Sequence, residues 1–314
     1  MNRCLALRDQ LSCKNKSLRA EGDWLWRDTL KKLAAAFGLP VPDDRHRTGP
    51  KKYSLESLAK VILFRNIFCM KSDREMARKL CVWKELREAC SLKDAPSHST
   101  ISRARDRIDL SEIFNSLVRK AKGLGLVNGF IISVDSTPFE SYLKGDKEAK
   151  LGYCAAKDEL VFGYKAHIVV DANSELPIAV VISPANVHDS KHLKPLMRRI
   201  FRNFICEVKK LLADSAYDSS AIRKFLRKIG IEDVIDRNKR RSKEFPKIKD
   251  VDYRKRSASE RVNSHAKESF GLEDFTFSGI RRALQHTYAC LAAMLYSAIT
   301  SFGMENENYR WVLV

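Results

Sequence analysis

The spacing of hydrophobic residues changes near residue 128 and so divides the chain into two parts. Before that position apolar residues recur at helical intervals, most clearly over Tyr53–Phe68. A capping pattern at Ser72–Glu75 indicates the start of a second helix, and the Ser/Thr-rich segment Pro96–Thr100 indicates a third. A further helix is predicted over Ser111–Gly123. These observations predict an all-helical region over residues 1–128.

After residue 129 the pattern becomes that of strands. Asp171–Ser174 has the composition of a turn that joins two of these strands as a hairpin. Farther along the chain, helical and strand-like segments alternate. The order β-β-β-α-β-α-β-α predicts a mixed α/β sheet with helices on its faces, over residues 129–303, followed by a tail at 304–314. The first three strands are predicted from short β-branched and apolar runs at 130–134, 161–170 and 177–183.

The helix that follows Pro96 has two interpretations. Its polar positions include Ser102, Arg103, Arg105 and Arg107, a composition expected of the DNA-reading helix in a helix-turn-helix motif. The same residues also fit a capped structural helix within the helical region. The sequence leaves both interpretations open.

The composition favours a protein that binds a polyanion. The 314 residues include 58 Lys+Arg and 39 Asp+Glu, a formal net charge of +19, and a hydrophobic content of 44% is enough for a folded core. Such an excess favours nucleic acid, because steering and counterion release both grow with positive charge. Segment 237–261 holds 11 Lys/Arg against 4 Asp/Glu, a net +7. It fits either a solvated surface or a DNA track that includes Lys239, Arg240 and Arg241.

The cysteines and the apolar segments bear on the compartment. Eight Cys residues are scattered without any C-x-x-C pair, which argues against a structural zinc site and favours small buried thiols in a reducing cytosol. The N-terminal residues do not resemble a signal peptide, and the longest apolar stretch, 289–299, is too short to span a bilayer. We therefore expect a cytoplasmic protein without a membrane partner.

Two aspartates stand out by their position. Asp135 and Asp214 each follow a buried apolar strand, where an unpaired carboxylate would be costly to bury. In an open α/β sheet, ligands bind beyond the carboxyl ends of the strands, and two Asp side chains there can bridge hard cations such as Mg²⁺. Either residue could instead simply cap the turn that follows it.

A third acid, Glu260, lies on a helix predicted over Arg254–Phe270. At 100° per residue, Tyr253, Arg256 and Lys267 fall with Glu260 on one polar stripe about 60° wide, while apolar side chains fall on the opposite side. An ordinary i,i+4 ion pair explains Arg256 and Glu260 but not the Tyr and Lys on the same stripe. The stripe therefore indicates a functional surface.

The spacing Tyr-x2-Arg-x3-Glu-x6-Lys, from Tyr253 to Lys267, resembles the signature of a large group of bacterial insertion-sequence transposases with a DDE, RNase H-like catalytic domain. The likeness extends over residues 53–301 and is strongest over 131–270. Several segments resemble blocks of the same family in the expected order: Val134–Thr137, Gly163–His167, Pro184–Ser190 and Ala213–Asp218.

The resemblance implies a fold and a reaction. The fold is an RNase H-like mixed sheet, with three antiparallel strands before the parallel ones and helices on both faces, preceded by a helical DNA-binding domain. Asp135, Asp214 and Glu260 would hold two Mg²⁺ or Mn²⁺ ions, and the three residues that share the stripe with Glu260 would contact double-stranded DNA. The reaction is cleavage at the transposon ends, after which the liberated 3′-OH attacks target DNA. Pairing of two ends implies a homodimer on DNA, associated with the bacterial nucleoid.

The resemblance leaves some neighbouring residues with more than one interpretation. The third acid follows the second by 46 positions (260 − 214), which implies a compact member of the family without a β-rich insertion at that point. His188 and Asp189 tune the site, join its metal shell or cap the next helix. Lys165 and His167 face either the active crevice or the far side of the sheet.

Two other functions remain compatible with the sequence. One is a catalytically silent or repurposed sequence-specific DNA-binding protein, although the intact set of three acids argues against it. The other is an RNase H-like nuclease that cleaves DNA without strand transfer.

Overall fold

The N-terminal part of the structure is helical, as its hydrophobic period predicts. The structure is a computed structural model and describes residues 38–39, 41, 52–154, 158–203, 207–237 and 250–303. Ser72 and Ser97 cap two of the helices, and each accepts a hydrogen bond from the backbone N–H three residues on. The helices are α1 (Leu55–Ile67), α2 (Asp73–Val82), α3 (Lys84–Ala89), α4 (His98–Arg107) and α5 (Leu110–Gly123).

Six strands then form one mixed sheet. They are β1 (Ile131–Glu140), β2 (Lys150–Cys154), β3 (Glu159–Asp171), β4 (Leu176–Pro184), β5 (Lys210–Ala213) and β6 (Glu232–Ile235). β3 is antiparallel to β1, β2 and β4, whereas β5 is parallel to β1 and β6. The predicted hairpin of β3 and β4 is confirmed.

The sequence pattern does not predict β2, because its hydrophobic residues do not follow burial. Leu151 and Tyr153 are exposed, while Gly152 between them faces inward. A Cβ atom at Gly152 would lie 2.2 Å from the carbonyl oxygen of Ala185, so this strand needs glycine for a close backbone approach.

Helices cover both faces of the sheet. Ser133 and Asp135 of β1 contact residues at 256–263, whereas Ser136 contacts the 3₁₀ turn Asp189–His192. Since successive strand residues point to opposite faces, these contacts lie on opposite sides of β1. The predicted mixed α/β sheet with helices on its faces, preceded by helices, is confirmed. The C-terminal helices are α6 (Leu193–Asn203), α7 (Ser220–Lys228), α8 (Ser257–Glu268) and α9 (Ile280–Phe302).

One long helix joins the two parts of the chain. α9 is buried without interruption from His286 to Ser301, and it packs on α1 and α5 as well as on β4. The main hydrophobic core runs from Leu58 in α1 to Ile299 in α9. The described helices and the sheet therefore share one core across the predicted boundary at residue 128. None of the described helices combines the length and apolar character that a membrane span requires.

No disulfide bond is formed by the cysteines that the structure describes. Cys90, Cys154 and Cys290 are buried as small apolar side chains, whereas Cys69 and Cys81 are exposed. The remaining three lie outside the described residues.

A buried ion cluster fixes α4 against α2 and α1. Arg105 of α4 donates to Asp73 with an Nη2–Oδ1 distance of 2.9 Å, and the Nε of Arg65 lies 3.6 Å from the same oxygen. All three side chains are at most 9% exposed. Arg105 therefore serves the structural-helix interpretation and does not face DNA, while Arg103 and Arg107 on the same helix are exposed.

Replacing Asp73 tests how far the fold depends on this cluster. We expect Asp73→Asn to destabilise the protein by about 3 kcal/mol, because two buried guanidinium groups would lose their shared carboxylate. Urea unfolding at pH 7 measures the change. As a control, Asp106→Asn at the exposed ion pair with Arg282 should lose less than about 1 kcal/mol. Equal effects of the two substitutions would show that the buried cluster has no special role.

Candidate catalytic site

The two aspartates selected from the sequence come together through strand register. β1 and β5 are parallel neighbours in which Val134 pairs with Ala213, so Asp135 and Asp214 follow at the same level of the sheet. Asp214 directly follows β5, as predicted. The prediction that Asp135 ends its strand is wrong, because β1 continues to Glu140 and pairs there with β3 alone. What ends at Val134 is the parallel pairing with β5.

Asp214 also has the capping role that the sequence left open. Its Oδ1 accepts a hydrogen bond from the Ala216 N–H at 3.0 Å and so caps the 3₁₀ turn Ser215–Tyr217. This bond holds the carboxylate at the carboxyl end of the parallel pairing between β1 and β5. Capping and a place in the site are therefore compatible in one side chain.

Burial and mutual repulsion raise the pKa of both aspartates. The pKa of Asp135 rises to about 7, chiefly because its carboxyl group is enclosed, and the charges of Asp214 and Glu260 raise it further. Arg256 opposes this rise. The pKa of Asp214 is also raised, again mainly by burial, with the charge of Asp189 adding to it. Three carboxylates therefore share one electrostatic environment.

Glu260 approaches this environment from α8. The helix is held on the sheet by Ser133, whose Oγ lies 2.8 Å from the Oγ of Ser259 and donates to the carbonyl oxygen of Arg256 at 3.0 Å. The side chain of Glu260 is 50% exposed, and its Oε1 accepts from the Nη2 of Arg256 at 2.5 Å. Arg256 thus acts on two acids: it forms an ion pair with Glu260, and its charge lowers the pKa of Asp135.

The predicted helical stripe is correct for α8 but wrong for Tyr253. The α-helix begins at Ser257, and Val251–Arg256 form a 3₁₀ turn, so a spacing of 100° per residue does not extend back to the tyrosine. The hydroxyl of Tyr253 instead donates to the carboxylate of Asp236, after β6. The apolar side of the helix is buried as predicted, with Ala258, Val262, Ala266 and Phe270 in the core.

The predicted basic contacts lie at different distances from the acids. Arg256 is at the site, whereas Lys267 follows Glu260 by about two turns and lies 3.1 Å from the Oε1 of Glu273. The other three predicted DNA contacts, Lys239, Arg240 and Arg241, lie outside the described residues.

Sequence reasoning missed two residues of the site. The Nδ2 of Asn263 donates to the Oδ2 of Asp135 at 2.9 Å, and its Oδ1 is buried with no partner among the described residues. Asn263 follows Glu260 by three residues, so the same-face rule for helices could have found it. The hydroxyl of Tyr217 is also buried without a described partner, and the charges of Asp135 and Asp214 help to raise its pKa, after burial itself and Asp189. Its apolar ring gave no such signal.

The alternatives left open for the residues around β4 are decided by the structure. His188 caps the 3₁₀ turn that follows it, by accepting from the backbone N–H two residues on. Asp189 does not cap but accepts a hydrogen bond from Lys165. Lys165 and His167 lie on the far face of the sheet from Asp135, because their partners on β1 are the even-numbered residues.

The donor chemistry of the site fits a divalent cation, although its acids are not already gathered around one point. Within the described part of the chain, no three His, Cys, Asp or Glu side chains are close enough to hold an ion together. Asp135 and Asp214 nevertheless supply the oxygen donors that Mg²⁺ and Mn²⁺ prefer. Burial, and after it the neighbouring carboxylates, raise the pKa of both acids and so make their ionised forms costly, and a bound cation would offset that cost.

Comparison with known families identifies the class of protein to which this mixed sheet and its acids belong. Residues 130–296 match the family described as "Transposase DDE domain", and residues 6–107 match the "Transposase domain (DUF772)". The first match covers more than half of the chain. The chain therefore belongs to the DDE transposase family, as its sequence motifs predict.

Individual relatives are more distant. A protein of Burkholderia cepacia, named as a transposase for insertion sequence element IS402, is 39% identical over 79 residues, which are 23% of this chain and 37% of that protein. The chain thus matches about a third of that relative's length. Among solved structures, the piggyBac transposase synaptic complex with hairpin DNA is 11% identical, with 91% of this chain and 74% of that chain covered and a TM-score of 0.41. The Mos1 strand transfer complex is 12% identical, with 81% and 78% covered and a TM-score of 0.30.

The raised pKa of Asp135 leads to a pH-dependent stability effect. In the folded protein the charged form is penalised, so at pH 8 the ionised Asp135 lowers stability. The penalty shrinks as pH falls through about 7 and disappears below the ordinary pKa, near 4. We therefore expect Asp135→Asn to stabilise the metal-free protein by about 2 kcal/mol at pH 8 and to change it little at pH 4.

Urea unfolding in EDTA at the two pH values measures this effect. Asp73→Asn is the control of opposite sign, because the pKa of Asp73 is lowered despite its burial, owing to Arg105. Its loss should destabilise the protein most at pH 8. An Asp135→Asn protein no more stable than wild type at pH 8 would contradict the proposed strain at the site.

Proposed function

We propose that the protein binds the inverted-repeat ends of its own insertion sequence, cleaves phosphodiester bonds there and joins the liberated 3′-OH to target DNA. The observation that carries this proposal is the register of β1 and β5, which sets Asp135 and Asp214 side by side beneath the helix that carries Glu260. Membership of the DDE transposase family supports the same reaction class.

The three acids would hold two Mg²⁺ or Mn²⁺ ions. When bound, such ions activate the attacking oxygen and stabilise the departing 3′-oxygen of the phosphodiester. Asp135 and Asp214 are suited to this role because their oxygens lie at the end of the parallel strands. Asn263 would keep the carboxylate of Asp135 in one orientation through its hydrogen bond to Oδ2.

Glu260 would join the site when DNA binds. In the DNA-free structure its carboxylate is half exposed and tied to Arg256. A DNA phosphate offers Arg256 a competing anion of suitable geometry. We infer that Arg256 exchanges Glu260 for phosphate, which frees the third carboxylate at the moment when the substrate arrives.

DNA would be held on the basic side of this site. Lys267 would contact phosphate, and Tyr253 would stack or hydrogen-bond near the terminal nucleotide. The segment with Lys239, Arg240 and Arg241 would extend the contact as a basic track. The helical residues 1–128 would bind the transposon end. Two ends brought together require a homodimer on DNA, and the expected location is the bacterial cytoplasm at the nucleoid.

Removing an acid should abolish cleavage without abolishing DNA binding. We expect Asp214→Ala and Glu260→Gln to reduce nicking of the element's own ends in Mg²⁺ by on the order of 10³-fold or more, because each removes an oxygen donor needed in the transition state. The assay uses purified protein and labelled duplexes that carry the repeats flanking the reading frame.

Glu268→Gln is the matched control, since Glu268 is an exposed acid on the same helix and pairs only locally, with Ser264, in its described contact. If wild-type protein nicks no better than Asp214→Ala, the catalytic assignment is wrong and a silent DNA-binding protein is favoured. Nicking without joined product favours the nuclease without strand transfer.

Lys267 allows a separate test of DNA contact. We expect Lys267→Ala to weaken end binding and to lower the slope of log K against log salt concentration by about one, as for the loss of one phosphate contact. Fluorescence anisotropy at several salt concentrations measures the slope. Glu273→Gln removes the described partner of Lys267 without removing the lysine, so it should leave the slope at or above the wild-type value. An unchanged slope in Lys267→Ala would remove this residue from the proposed DNA surface.

A further inference from the structure

A buried ion pair lies directly behind the strand that carries Asp135. Lys165 of β3 donates to Asp189 with an Nζ–Oδ1 distance of 2.7 Å, and each side chain is 15% exposed. The other oxygen, Oδ2, accepts the hydroxyl hydrogen of Ser136 at 2.9 Å. Both oxygens of this carboxylate therefore have a donor from the sheet, one from β3 and one from β1.

Two histidine rings lie beside the ion pair and add no positive charge to it. The rings of His167 and His192 are stacked, with centroids 4.3 Å apart and planes at 24°. The Nδ1 of His167 lies 3.9 Å from Asp189, which would count as an ion pair if the ring were protonated. Burial and the neighbouring His192 lower the pKa of His167 to about 3, so the ring is neutral at physiological pH. Lys165 is thus the cation that balances Asp189.

This pair is coupled to the proposed cation site by a bond and by charge. The residue that Asp189 binds on β1, Ser136, is the chain neighbour of Asp135. The charge of Asp189 also raises the pKa of Asp214, and it raises that of the buried Tyr217 hydroxyl. Asp189 therefore acts on Asp214 through its charge, and it contacts the chain neighbour of Asp135 through its bond to Ser136, although its own oxygens are occupied.

We propose that Asp189 is a positioning residue that strengthens divalent-cation binding at Asp135 and Asp214, and that Lys165 is its internal counter-ion. Through Ser136 it fixes the segment of β1 where pairing with β5 ends, and its charge adds to the negative potential that attracts a cation. Lys165 supplies the positive charge that faces this carboxylate, at 2.7 Å. This inference rests on the proposed function, because it takes Asp135 and Asp214 as the cation-binding acids.

Mn²⁺ binding to the full-length, DNA-free protein tests the inference, with calorimetry as the readout. We expect Asp189→Asn to weaken Mn²⁺ affinity by about 10- to 100-fold, as for other residues that support metal ligands without touching the metal. It should also lower the melting temperature, because the mostly enclosed Lys165 would lose its anionic partner and keep only its bond to the carbonyl oxygen of Val187.

The double variant Lys165→Met/Asp189→Asn separates positioning from folding. It removes both buried charges, so we expect the melting temperature to recover towards the wild-type value while Mn²⁺ affinity stays at least about tenfold below it. The matched control is Glu207→Gln, which breaks the Lys122–Glu207 ion pair at the opposite end of β5 from Asp214. It should leave Mn²⁺ affinity unchanged.

The possible results are distinct. Wild-type affinity in the double variant, or in Asp189→Asn itself, would overturn the positioning role and leave Asp189 a purely structural partner of Lys165. The proposed function fails separately if wild-type protein shows no Mn²⁺ binding that Asp135→Asn removes, and the inference then falls with it. Weakened binding in both Asp189 variants, with unchanged binding in Glu207→Gln, supports the inference.

Discussion

The organisation of this protein depends on placing like-charged carboxylates together at the end of a hydrophobic sheet. Parallel pairing of β1 and β5 sets Asp135 beside Asp214, and neither has a basic residue as its direct hydrogen-bond partner in the described contacts. Burial raises the pKa of both aspartates, and the charges of neighbouring carboxylates raise it further, so their ionised forms carry a free-energy cost. A sheet whose strand pairing could slip by one residue would relieve the repulsion, so tight packing around β1 is a requirement of the site.

That packing comes from both faces of the same strand. On one face Ser133 and Asp135 are bonded to α8, and on the other Ser136 is bonded to Asp189. Successive residues of this strand point to opposite faces, so one short polar segment of β1 binds both α8 on one face and the turn that contains Asp189 on the other. Arg256 lowers the pKa of both aspartates from one side of the sheet. On the other side, Lys165 balances the charge of Asp189.

The sequence reveals this architecture where periodicity and chemistry coincide. Hydrophobic period predicts the hairpin of β3 and β4, and position after apolar runs selects Asp135 and Asp214. Sequence periodicity fails in β2, where large apolar side chains are exposed and glycine is buried. It also fails at Tyr253, which lies in a 3₁₀ turn and not in the predicted helix. The same-face rule places Asn263 beside Glu260, but an amide on a polar helix face has no distinguishing pattern until its carboxylate partner is placed opposite. Its contact with Asp135 is therefore seen only in three dimensions.

The burial of α9 fixes the separation between the N-terminal helices and the acids of the sheet. This helix contacts α1, α5 and β4 along one continuous core, so the described helical region cannot swing relative to the acids without breaking that core. The exposed side of α4 therefore lies at a set separation from Asp135 and Asp214, fixed by packing within the described residues. Under the proposed function, the place of cleavage relative to DNA bound there would follow from the shape of this core.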